Sequence, residues 1–99
     1  MRMMMKVSIP VEAGNKAIKD GSLPKTILGF IEQMKPEAAY FIAEDGKRTG
    51  YFFFDLKDPA SIPPAAEAFF MNLQAAITLT PAMNVEDMKA GVSKVASSL

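Results

Sequence analysis

Residues 39 to 55 run Ala39-Tyr40-Phe41-Ile42-Ala43-Glu44-Asp45-Gly46-Lys47-Arg48-Thr49-Gly50-Tyr51-Phe52-Phe53-Phe54-Asp55. Two aromatic-rich runs flank a polar tip. Aromatic and β-branched side chains suit a pleated surface, and Asp45-Gly46 supplies the positive φ of a tight turn, so the stretch predicts a β-hairpin. Its strands are expected over about 38 to 43 and 49 to 56. Both side-chain parities are apolar: Tyr40 and Ile42 alternate with Phe41 and Ala43, and Tyr51 and Phe53 alternate with Phe52 and Phe54. A sheet wetted on one face would alternate apolar with polar. Both faces of this hairpin therefore call for cover.

Toward the N-terminus, residues 3 to 9 read as a strand. Met3, Met5, Val7 and Ile9 share one face, Met4, Lys6 and Ser8 the other, and Pro10 ends it for want of an N–H. Residues 11 to 35 read as a helical arm broken near Gly21, with Ser22 as a fresh N-cap and Pro24 in a first turn. Ile27, Phe30, Ile31 and Met34 recur at helical spacing, and Pro36 closes the arm. Toward the C-terminus, Ser61 is the expected cap of a second main helix, with Pro63 and Pro64 in its first turn and Ile62, Ala66, Phe69, Phe70 and Leu73 as its buried face. Residues 75 to 80 read as a fourth strand stopped by Pro81. Asn84 and Asp87 suggest a capping box for a last helix striped with Val85, Met88, Val92 and Val95, weakened by Gly91.

The order β-α-β-β-α-β-α places the chain in the α+β class. It predicts a ferredoxin-like split β-α-β pair with an extra C-terminal helix and a four-stranded antiparallel sheet. Right-handed crossovers put both main helices on one face, with strands one and three central and strands two and four at the edges. At 99 residues, residues 1–99 are expected to form a single domain.

Composition narrows the chemistry. Eleven basic and eleven acidic side chains cancel, so no electrostatic footprint for nucleic acid or an acidic membrane surface is expected. There is no cysteine and no histidine, which removes thiolate nucleophiles and the commonest general base and metal ligand. No metal and no cofactor is expected. No apolar run approaches the roughly 20 residues of a membrane span, and the Met-rich start is too short for a signal peptide, so a cytoplasmic location is expected.

Four strings carry a resemblance: Asp20-Gly21-Ser22-Leu23-Pro24-Lys25, Lys35-Pro36-Glu37-Ala38-Ala39-Tyr40-Phe41, Gly46-Lys47-Arg48-Thr49-Gly50-Tyr51-Phe52 and Pro81-Ala82-Met83. With the order of elements, they make the chain similar to the dimeric α/β-barrel superfamily, whose ferredoxin-like subunits pair sheet to sheet. It most resembles small uncharacterised bacterial proteins of that kind, and more distantly muconolactone isomerases and antibiotic-biosynthesis monooxygenases. The resemblance implies a homodimer. It does not bring the superfamily's haem-degrading or His-dependent chemistry, because there is no histidine.

Few residues offer chemistry, and each also has a plainer role. Asp55, at a strand end among aromatics, is a candidate general acid or base if buried, or a solvated strand-end residue. Lys6 is a candidate nucleophile or carboxylate binder, or a stem lying over apolar surface. Tyr40 and Tyr51 share a parity; their hydroxyls are candidate ligand contacts, with Tyr51 also a proton-handling candidate, or the pair simply packs. Arg48 is a candidate anion clamp or part of a solvated tip. Phe53 joins the tyrosines as a ligand-binding candidate. The reading that follows is a homodimeric module binding a small apolar or aromatic ligand. The alternative is a cofactor-independent isomerase or monooxygenase acting on small aromatic or lactone-like compounds.

Overall fold

The computed structural model describes residues 1–99. Strands β1 (Arg2–Ile9), β2 (Ala38–Glu44), β3 (Lys47–Asp55) and β4 (Ala76–Pro81) form one antiparallel sheet in the order β2-β3-β1-β4. The helices are α1 (Val11–Asp20), α2 (Ser22–Met34), α3 (Ile62–Leu73) and α4 (Val85–Ser97). The central places of β1 and β3 are those expected from the sequence, and the order is compatible with a ferredoxin-like arrangement. Asp45 and Gly46 both have positive φ, 53° and 75°, so the hairpin closes through a two-residue turn whose twist matches its strands.

Register fixes the two sheet faces. Met5 lies between Phe52 and Leu79, and Val7 between Gly50 and Ile77. That face meets the helices: Met3, Met5, Val7, Ile9, Phe52 and Phe54 are buried with Ala17, Phe30, Ala65, Phe69 and Leu73. Phe30 sits at the centre, its ring 4.7 Å from Phe52, 5.3 Å from Phe69 and 5.5 Å from Phe54. Tilted and edge-on rings at these distances are the favoured aromatic geometries.

Several local expectations are corrected. Ser22 does not cap α2 but is its first residue, its N–H held by the Asp20 carboxylate at 2.8 Å. Ser61 does stand at the N-cap position of α3, but its side chain makes no cap bond; it ends a short 3-10 turn, Pro59–Ser61, and Asp58 accepts its N–H at 3.1 Å. In both places an aspartate upstream supplies the acceptor. In α3 the buried residues are Ala65, Ala66, Phe69 and Leu73, while Ile62 and Phe70 are exposed. Small alanines let the helix approach closely, which turns the larger pair outward. The Asn84–Asp87 capping box forms as expected.

The last helix does not fold back on its own sheet. None of its residues is buried, and Val85, Met88, Val92 and Val95 all face solvent. The chain extends 56 Å by 28 Å by 18 Å, with a radius of gyration of 15.9 Å, against about 13 Å for a compact domain of this length. Arg2 anchors the helix start: its guanidinium meets Asp87 at 3.2 Å and Glu37 at 2.5 Å. No helix is long and apolar enough to cross a membrane.

Candidate functional site

Two regions gather the candidate residues, one on each side of the hairpin. On the helix-free face, β-strand alternation aligns Tyr40, Tyr51, Lys6 and Thr78 in one cross-strand row, with Ala38, Phe53, Met4 and Thr80 beside it. Tyr40 and Ile42 are exposed there, and Tyr51, Phe53 and Met4 are half-buried.

Glu44 organises the polar part of that face. Its carboxylate accepts hydrogen bonds from the Lys6 ammonium and, at 2.5 Å, from the Tyr51 hydroxyl. The Lys6 nitrogen also lies 6.0 Å from the centre of the Tyr51 ring. The hydrogen bond to Glu44 raises the Lys6 pKa and also raises that of Tyr51. Bonds from Lys6 and Tyr51 lower that of Glu44. All three shifts lead away from neutrality and fix an ammonium, a carboxylate and a phenol. General acid–base work favours a pKa near the working pH. This trio therefore reads as a locked polar cluster.

Asp55 stands at the far end of β3, exposed, with its carboxylate 2.6 Å from the Met1 amine. That hydrogen bond lowers its pKa. Burial among aromatics, the condition for a raised pKa, is not met.

The second region lies under the hairpin. The helix layer stops short of β2, leaving an apolar groove of about 610 Å³. Ile18, Leu23, Ile27 and Leu28 form its helical wall, Val7, Ile9, Gly50 and Phe52 its sheet floor, and Phe41 its outer rim. Gly50 keeps the floor low: a Cβ there would come within 3.0 Å of the Phe52 ring. The volume lies within the range of small-molecule sites, roughly 300–1,000 Å³. Arg48 and Thr49 are the only polar lining residues. The Thr49 hydroxyl donates to the Lys47 carbonyl at 3.1 Å.

Arg48 leaves the hairpin tip and lies across α1. Its guanidinium donates to the Asn15 side chain at 3.0 Å and to the Val11 carbonyl at 3.4 Å. Gly14 makes room for it, since a Cβ there would sit 2.5 Å from Nη1.

The structure thus brings Lys6, Tyr40, Tyr51 and Phe53 onto one face and Arg48 to the other, and leaves Asp55 apart from both. Neither Asp55 nor a tyrosine lines the groove. Sequence reasoning missed Glu44 as the centre of its cluster and the groove itself. A signal for the first was parity: Glu44 falls in step with Tyr40 and Ile42. A signal for the second was Gly50 inside a strand, a residue that often marks close approach or vacant space. Comparison with protein-family models, curated proteins and solved structures finds no match to this chain.

Proposed function

We propose that the chain is a homodimeric module, built as a dimeric α/β barrel, that binds a small apolar or aromatic molecule in the groove beneath β2. One observation carries this reading: β2 is uncovered on both sides. Tyr40, Phe41 and Ile42 are 63%, 55% and 48% exposed in a seven-residue edge strand. Contiguous apolar surface of this kind marks an interaction site. On the helix-free side, a two-fold partner covers Tyr40, Ile42, Tyr51 and Phe53 in both subunits at once, the commonest way to close a homo-oligomer. On the other side, Phe41 looks onto the groove, where a ligand replaces water. The resemblance to the dimeric α/β-barrel superfamily and the order of strands agree with this assembly.

The free-standing α4 fits the same scheme. An isolated 13-residue helix is marginal in water, and most helix stability comes from packing an apolar face. The stripe from Val85 to Val95 therefore belongs against the partner subunit.

Native mass spectrometry of the purified protein tests the proposal. The expected species is two chains carrying a small molecule. Ions of one chain alone, at concentrations where weak dimers persist, would overturn it.

A further inference from the structure

We infer that the groove ligand carries a single negative charge, as a small aliphatic or aromatic carboxylate does, and that Arg48 receives it. The inference rests on the proposed groove and adds the chemical class of its occupant. Arg48 is the one charged residue lining a space that is otherwise apolar but for Thr49, whose hydroxyl is bonded to the Lys47 carbonyl. Two other cations of the sheet are neutralised, Lys6 by Glu44 and Arg2 by Glu37 and Asp87, and Lys47 at the hairpin tip does not line the groove. Arg48 is bonded only to the neutral oxygens of Asn15 and Val11, and forms no ion pair.

A half-buried guanidinium with two neutral partners has donors to spare, since it carries five N–H groups in a fixed fork. The fork matches a carboxylate, and charge-assisted bonds of this type are about twice as strong as neutral ones. Its position is built rather than incidental. Arg48 shares the helix-side parity of Gly50 and Phe52, and Gly14 clears the surface of α1 on which it rests. An apolar tail along Ile18, Leu28 and Phe41 with its carboxylate at Arg48 satisfies both parts of the groove.

Isothermal titration with octanoate and octan-1-ol, which share a chain and differ in charge, tests the inference. The parent protein is expected to bind octanoate roughly tenfold or more tighter, the scale of a hydrogen bond to a charged group. Arg48→Gln removes that preference. Gly14→Ala reduces the preference, because the new methyl displaces the guanidinium without touching the apolar wall. Circular dichroism and urea midpoints establish that each variant is folded; if Arg48→Gln is not, Gly14→Ala carries the test. Equal binding of the two ligands by the parent, or a preference that survives in Arg48→Gln, would overturn the charge assignment and leave the apolar groove standing. Failure of the parent to bind either ligand would remove the groove reading together with it.

Discussion

Tyr40 lies directly opposite Tyr51 across the β2–β3 hairpin, yet only Tyr51 has its hydroxyl held, by Glu44. The two rings therefore play different parts. Tyr51 is tied into its own chain. Tyr40 is 63% exposed and contributes mainly when something covers it. Tyr40→Ala is expected to leave the unfolding of the single chain nearly unchanged. It should weaken dimerisation by about 1–2 kcal/mol, the scale of an aromatic interface residue, or roughly five- to thirtyfold in Kd. Sedimentation across a dilution series measures it, and an unchanged Kd would place Tyr40 outside the interface.

The Lys6–Glu44–Tyr51 cluster predicts a stability plateau with two edges. Glu44 has its pKa lowered from 4.5 by its two donors, so its contribution is complete above the unfolded value and fades as pH falls through the folded one. Lys6 and Tyr51 are raised from 10.5 and 10.0. Their contributions are complete below those values and fade as pH rises through the folded ones. Urea midpoints of the parent are expected to fall on both sides of the plateau. Glu44→Gln should flatten both limbs, leaving a residual acid limb from Asp20 and Asp55, whose pKa values are also lowered. A variant with limbs as steep as the parent's would contradict the cluster.

Phe52 joins the sheet to the helix layer. It is 1% exposed, with ring centres of Phe30, Phe41 and Phe69 at 4.7, 5.7 and 5.9 Å. Phe52→Ala is expected to cost about 3–5 kcal/mol, the usual range for a buried phenylalanine. Chemical denaturation monitored by far-UV circular dichroism reads this directly, and a loss below about 1 kcal/mol, far under that range, would show a looser core.

Much of this architecture was legible in the sequence because its signals are local. Asp45-Gly46 announces the turn, and alternation in Met3–Ile9 separates the face that packs from the face that does not. Asn84 and Asp87 announce the capping box. At Ser22 and Ser61 local signals compete: neither serine side chain makes a cap bond, and Asp20 and Asp58, slightly upstream, accept the serines' own N–H groups. Ile62 and Phe70 have the size of core residues, but burial in α3 follows the face of Ala65, Ala66, Phe69 and Leu73, which helical spacing alone does not single out. The groove was illegible for a different reason. It depends on how far the helix layer reaches across the sheet, and no spacing along the chain encodes that distance. Arg48 belongs to the hairpin tip by its place in the sequence, and only the fold brings it to Gly14, 34 residues earlier, which makes its bed.

The exposed stripe of α4 gives a further test of the assembly. Val92 is 57% exposed in the single chain, so Val92→Asp is expected to leave the core's hydrogen-exchange protection as it is. In a dimer whose arms lie on the partner, a buried unpaired carboxylate should weaken association at least tenfold, since each such charge costs more than about 1.4 kcal/mol. Unaltered association would show that α4 makes no contact across the interface.

The central claim is that the bare sheet face is covered by a second copy of the chain. Light scattering coupled to size exclusion at micromolar concentration measures it most directly. The account predicts a mass twice the 10.7 kDa of one chain, falling toward the single-chain value on dilution and in Tyr40→Ala. A mass of one chain that persists as concentration rises would contradict it.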